Sequence, residues 1–191
     1  MPHELITRIH RALDAAAPIV HGITADQWTL TTPCDGWDVR ALANHLVGGI
    51  AVFAELVAGR HADHDPDVDQ LGGNPAAAFD RAARLDRDAW ASDGVLARPV
   101  ELSFGALPGP MAAIVHLTEV VVHAIDLAVA TGQVARIDEA QAGELLESMR
   151  AMGGIDGFRA PGMFGAEVAC PPGATAHVRL LAYVGRQPVL V

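Results

Sequence analysis

One segment of this chain concentrates groups that do chemistry. In PMAAIVHLTEVVVHAIDLAVATG, residues 110–132, the ionisable side chains are His116, Glu119, His123 and Asp126. At about 100° per residue of an α-helix, all four fall on a stripe about 80° wide. The rest of the segment is almost wholly apolar, apart from Thr118 on the opposite side. Burying ionisable groups is costly unless they pair with one another or bind a metal, so the stripe needs a partner. Glu119 and His123 stand four residues apart, which stacks a carboxylate and an imidazole on successive turns, close enough to grip one ion. Helical bundles build metal sites in this way, from Glu and His projecting inward on facing helices. The best candidate for a further ligand is His45, in the otherwise apolar run ALANHLVGG. Taken alone, His45 reads as a hydrogen-bonded core histidine, and Glu119 with His123 as an i,i+4 ion pair. Together, on two apolar helices, they point to a divalent metal held by His45, Glu119 and His123. His116 is open to three readings: a fourth ligand, a general base, or a donor that orients a ligand. Asp126 either orients a ligating imidazole or pairs with an arginine. His116, Asp126 and Arg40 are the catalytic candidates.

The elements that must position these groups are mostly helices. Apolar residues at helical spacing run from residue 4 to 17, and Pro18 is expected to end that helix. A second helix is expected over 37–58, with Asp35 as its N-cap, Asp38 completing a capping box, and Gly59 as its stop. Its apolar residues cover nearly every face, as in a helix central to a bundle. Residues 60–74 read as an exposed acidic loop, in which His61 and His64 are solvated. A third helix follows over 75–91, with Asn74 as cap and Pro75 at its first position. Alternation in Val100, Leu102 and Phe104 predicts a short strand or hairpin before a Pro/Gly turn. Further helices are expected over 110–131, 138–152 and 175–184, with a Gly- and Pro-rich packed loop over 153–173. The sum is an all-α fold, an antiparallel four-helix bundle with long crossing loops and at most a small β-hairpin, in one domain over residues 1–191.

Composition excludes several classes. Of the 191 residues, 51% are hydrophobic and 19% charged, which marks a globular chain. The 13 basic residues are all arginine and face 23 acidic ones, giving a net charge of -10. With no basic stripe, nucleic acid is not an expected partner. No Gly-rich loop joins a strand to a helix, so a nucleotide site is not expected. The stretch from Met111 to Ala130 is long enough to span a bilayer, but its four ionisable residues argue against a membrane partner. The N-terminal MPHELITRIH lacks a signal pattern, and two cysteines make no disulfide framework, so a cytoplasmic protein is expected. Cys34 is expected to pack and Cys170 to be structural. Trp28, Trp37 and Trp90 are expected in the core or the wall of a cleft. His3, His10, His21 and His177 belong to no chemical constellation.

The segments PCDGWDVRALANHLVGG and TEVVVHAIDLAVATGQ resemble the two signature stretches of the DinB-like superfamily. Within it, the chain is most similar to the actinobacterial metal-binding branch near the N-terminal domain of mycothiol-dependent maleylpyruvate isomerase. SFGALPGPMA, MFGAEVACPPG and RLLAYVGRQP extend the resemblance over nearly the whole chain, with residues 60–95 contributing least. The resemblance implies a four-helix core holding a divalent metal, commonly zinc, through a His–Glu–His triad that lands on His45, Glu119 and His123. Some members are thiol-dependent transferases or isomerases using mycothiol, bacillithiol or glutathione. Where the branch usually carries Trp and Arg, this chain has Ile125 and Val129. The isomerase's additional C-terminal domain has no counterpart within these 191 residues, which argues against maleylpyruvate isomerisation itself.

Three protein ligands leave a coordination position open, as in catalytic zinc sites. Zinc suits the His/Glu/His set best, and Ni2+, Fe2+ or Mn2+ would tolerate it. A thiol bound there would lose its proton readily and attack an electrophilic carbon. The first reading is therefore a metal-dependent thiol S-transferase or isomerase, mycothiol-type, acting on a small electrophilic molecule, with Arg40, Arg98 and Arg159 as candidates for an anion-binding wall. The alternatives are a metal-binding or small-molecule-binding domain without turnover, and a thiol-independent metal hydrolase. A monomer or a homodimer is expected.

Overall fold

The computed structural model describes residues 2–62, 68–159 and 164–187. His64 therefore lies outside the described residues. Six α-helices carry the architecture: α1 (Pro2–His21), α2 (Val39–Val57), α3 (Pro75–Trp90), α4 (Gly109–Ala130), α5 (Glu139–Ala151) and α6 (Ala176–Tyr183). Strands β1 (Val100–Leu102) and β2 (Gly105–Leu107) form an antiparallel hairpin just before α4, with Val100 opposite Leu107. The first four helices make a bundle in which α1 packs on α4 and α3, and α2 packs on α3 and α4. The pair α5–α6 leans against α4 from outside that ring. Two helices, α2 and α4, are long and apolar enough to cross a membrane. In the fold they are partners in the bundle, and α4 is buried along most of its length.

The core follows from helical periodicity. Ile9, Ala12, Leu13, Ala16 and Ile19 put one face of α1 inside, and Leu42, Leu46, Ile50 and Phe53 do the same for α2. Helix α1 does not stop at Pro18 but runs on to His21. A proline in the last turn gives up one backbone bond, a cost of up to about 3 kcal/mol in a helix interior. The extra turn buries Ile19 and Val20. Its loose carbonyls are also taken up by the α4–α5 loop: Arg136 donates to Pro18 O at 3.1 Å and Gln133 Nε2 to Ile19 O at 2.9 Å. Gly22 makes this approach feasible, since a Cβ there would lie 2.2 Å from Gln133 Oε1.

The start of α2 also differs from expectation. Its N-cap is Asp38, whose side chain accepts from Ala41 N at 2.8 Å, and not Asp35. The preceding loop folds back so that Leu30 O accepts from Val39 N and Trp28 O from Arg40 N, both at 2.9 Å. Val39 N and Arg40 N are first-turn donors with no intrahelical acceptor when Asp38 is the cap, and those two carbonyls satisfy them. The turn at Gly36 then brings Trp37 back beside α2. Asn74 caps α3 through Ala77 N, as its position predicts.

Candidate metal centre

Helix α2 carries His45 and helix α4 carries Glu119 and His123, and their packing brings the three together. His123 Nε2 lies 3.2 Å from Glu119 Oε2, and His45 Nε2 lies 3.5 Å from the same oxygen. One ligand atom from each residue falls within 4.8 Å of the other two. An ion about 2.0–2.2 Å from each atom in a tetrahedral site separates its ligands by roughly 3.4 Å. Both distances to Glu119 match that spacing, so the residues fit a small divalent ion. The imidazoles stand edge to face, with ring centroids 5.1 Å apart. Exposure is graded across the set: the side chain of His123 is 9% exposed, that of His45 25%, and that of Glu119 36%. The centre is thus closed at His123 and open at the Glu119 carboxylate.

Charge is balanced locally. Burial alone would raise the Glu119 carboxyl, but the imidazoles of His123 and His45 beside it hold it well below the usual carboxylate range. Burial alone would lower the His123 imidazole, yet the carboxylates of Asp126 and Glu119 outweigh it and lift it to about 9. The side chains of Glu119 and Asp126 thus flank the His123 imidazole and favour its protonated form.

Asp126 lies beside both His123 and an arginine. It is fully buried, with Oδ2 3.5 Å from His123 Nδ1 and 3.4 Å from Arg186 Nε. Arg186 Nη2 also reaches Cys34 Sγ at 3.5 Å. Sequence reasoning singled out neither Arg186 nor the position of Cys34 beside it. Arg186 follows α6, and it arrives here because Gly185 adopts a positive φ and lets the chain cross Gly165; a Cβ on Gly185 would lie 2.5 Å from Gly165 Cα. Trp37 forms the wall of the site, its ring centroid 4.5 Å from that of His45 and 6.2 Å from that of His123. Of the two places expected for it, core or cleft wall, Trp37 takes the second.

His116 is not among the three clustered side chains. It is buried on the α3 side, with Nε2 3.0 Å from Asp86 Oδ2. Arg40 is at the surface, spent on Asp69 at 3.1 Å. Arg98 is exposed, and Arg159 holds Asp156 and the carbonyl of Tyr183. Ile125 is buried on the other side of α4, beside Ala12, Ile19 and Gln141, so its departure from the branch's usual Trp does not fall on the His–Glu–His cluster. Val129 packs against the core. Cys170 is exposed, with no structural role of the kind expected of it. His177 is buried and bonded to Glu139, and His21 pairs with Asp80.

The four-helix core, with His45 from α2 drawn to Glu119 and His123 of α4, is consistent with the DinB-like fold. Residues 9–128 match the mycothiol maleylpyruvate isomerase N-terminal domain family, and the chain belongs to that family. The matched region spans His45, Glu119 and His123 but not Arg186. Two relatives, each an uncharacterized protein of Mycobacterium tuberculosis (strains CDC 1551 / Oshkosh and H37Rv), are 34% identical over 177 residues, covering 92% of this chain and 94% of theirs. A crystal structure of the mycothiol-dependent maleylpyruvate isomerase aligns with a TM-score of 0.57 and 17% identity, over 81% of this chain and 73% of that one. A histidine-to-alanine mutant of it aligns equally well, at 15% identity. At those identities the likeness is one of fold.

Proposed function

We propose that His45, Glu119 and His123 hold one divalent metal ion, zinc before nickel, iron or manganese. We further propose that the protein is a metal-dependent thiol S-transferase or isomerase acting on a small electrophilic molecule with mycothiol as cosubstrate. The observation that carries the metal is the convergence of the three ligand atoms within 4.8 Å from two different helices. The thiol rests on membership of the family. An ion bound by three protein groups supplies, at its remaining position, a lowered pKa for a thiol or a water.

The chain's own residues do the rest. Asp126 faces His123 Nδ1 and so turns Nε2 toward the centre. Arg186 keeps that buried carboxylate paired. Trp37 covers one side of His45 and keeps water from it. Glu119, the most exposed of the three, marks the side from which a substrate enters. The nucleophile attacks an electrophilic carbon there. In an isomerase the same thiol is expelled after rotation about the carbon–carbon bond, and in a transferase it stays. Both described cysteines are free thiols, which fits a reducing compartment, the cytoplasm.

The test is metal content by elemental mass spectrometry on untagged protein purified without chelator. About one ion per chain is expected in the wild type, and a fraction of that in His45→Ala and His123→Ala. Loss of free sulfhydryl in the presence of a small electrophile then tests the transferase. Metal without sulfhydryl loss favours a binding domain, and turnover in thiol-free buffer favours a hydrolase. A wild type that carries no metal and cannot be loaded sinks the proposal.

A further inference from the structure

A second buried pair lies behind the metal centre. Asp86 on α3 is fully buried, and both of its oxygens are engaged: Oδ2 with His116 Nε2 at 3.0 Å, Oδ1 accepting from Trp90 Nε1 at 3.2 Å. The His116 ring is clamped between Phe53, at 4.5 Å between centroids, and Trp90, at 5.8 Å. Its other nitrogen, Nδ1, is buried with no hydrogen-bond partner. An orphaned buried nitrogen in an otherwise satisfied network calls for an explanation. One is at hand in a cavity of about 10 Å³, the room one water-sized group needs. It is lined by His116 together with His45, Glu119 and His123, from α2 and α4 alone. Since Nε2 is turned to α3, Nδ1 is the polar atom His116 has left for that cavity.

We propose that His116 is the proton acceptor of this site, with Asp86 as the positioning residue that sets its tautomer. Asp86 accepts from Nε2–H, which leaves the Nδ1 lone pair bare. The S–H or O–H group of the nucleophile lodges in the cavity and gives its proton to Nδ1. The electron pair of the broken bond stays on sulfur or oxygen for attack on the electrophile. The imidazolium so formed is balanced by the Asp86 carboxylate 3.0 Å away. The identity of the nucleophile rests on the proposed function, whereas the tautomer and the orphaned nitrogen do not.

Two readouts separate these. The first is nitrogen NMR on the metal-free, 15N-labelled wild type along a pH series. It should show neutral His116 carrying its proton on Nε2, and Asp86→Asn should shift that preference toward Nδ1–H. A wild type with its proton on Nδ1 overturns the inference, and this readout holds even where the Asp86 variant fails to fold. The second is His116→Gln, which should keep wild-type metal content and lose at least about 100-fold in sulfhydryl consumption. Metal loss like that of His45→Ala would make His116 a ligand, and undiminished consumption would make it structural; either result overturns the inference. Parallel assays with and without thiol show whether the proton comes from S–H or O–H. A wild type inactive in both sinks the proposed function and leaves the tautomer to decide the role of His116.

Discussion

A histidine held at a pKa of about 9 must lose a proton before it can ligate. Below that value His123 is an imidazolium bridging Glu119 and Asp126, so loading a metal ion at neutral pH displaces one proton from it. The sign follows directly: affinity should rise as pH rises, by close to tenfold per unit between pH 7 and 9, and level off above. Titration calorimetry in buffers of different ionisation enthalpy should report about one proton released per ion at pH 7. A pH-independent affinity over that range would show that no imidazolium is displaced when the ion binds. At this scale the sequence was informative for a simple reason. The helical stripe is local geometry, so Glu119 and His123 share a face whatever surrounds them. His116 shares that stripe too, yet its ring turns to Asp86, thirty residues earlier in the chain, and no spacing along α4 reveals that.

The elements position the site through their ends more than their middles. Helix α2 starts where Asp38 caps it, and this start sets the turn that brings Trp37 over His45. Asp38→Ala should cost about 1 kcal/mol in stability, whereas Asp35→Ala, at an exposed position, should stay within about 0.5 kcal/mol. Urea denaturation of the two variants checks this, and equal losses would return the cap to Asp35. Both aspartates precede the same apolar run, and only the loop folding back onto Leu30 and Trp28 selects between them. Pro18 shows the same limit. Its local rule is to end a helix, and the rule yields because Arg136 and Gln133, more than a hundred residues on, bond the carbonyls of the last turn. Helix existence and order were otherwise readable from periodicity, including the hairpin before α4.

Across the whole molecule the three candidate ligands join α2 to α4, so an ion bound there should stabilise the bundle. At a free concentration 100 times its dissociation constant, zinc should add about 2.7 kcal/mol. For a chain of this size that amounts to roughly 5–10 °C in Tm. Differential scanning calorimetry with zinc and after chelation should show that difference in the wild type and none in His45→Ala. An equal shift in both would place the binding elsewhere. The sequence by itself determined that the chain is helical, that two apolar helices carry inward-facing His and Glu, and which family it resembles. Those properties are written in nearest-neighbour spacing and need no knowledge of the tertiary fold. Only the tertiary structure decided that Arg186 and Cys34 meet beside Asp126, that Trp37 walls the centre, and that Asp86 claims His116. Each of those contacts joins residues from separate elements, and its distance depends on how the helices cross and where the loops turn.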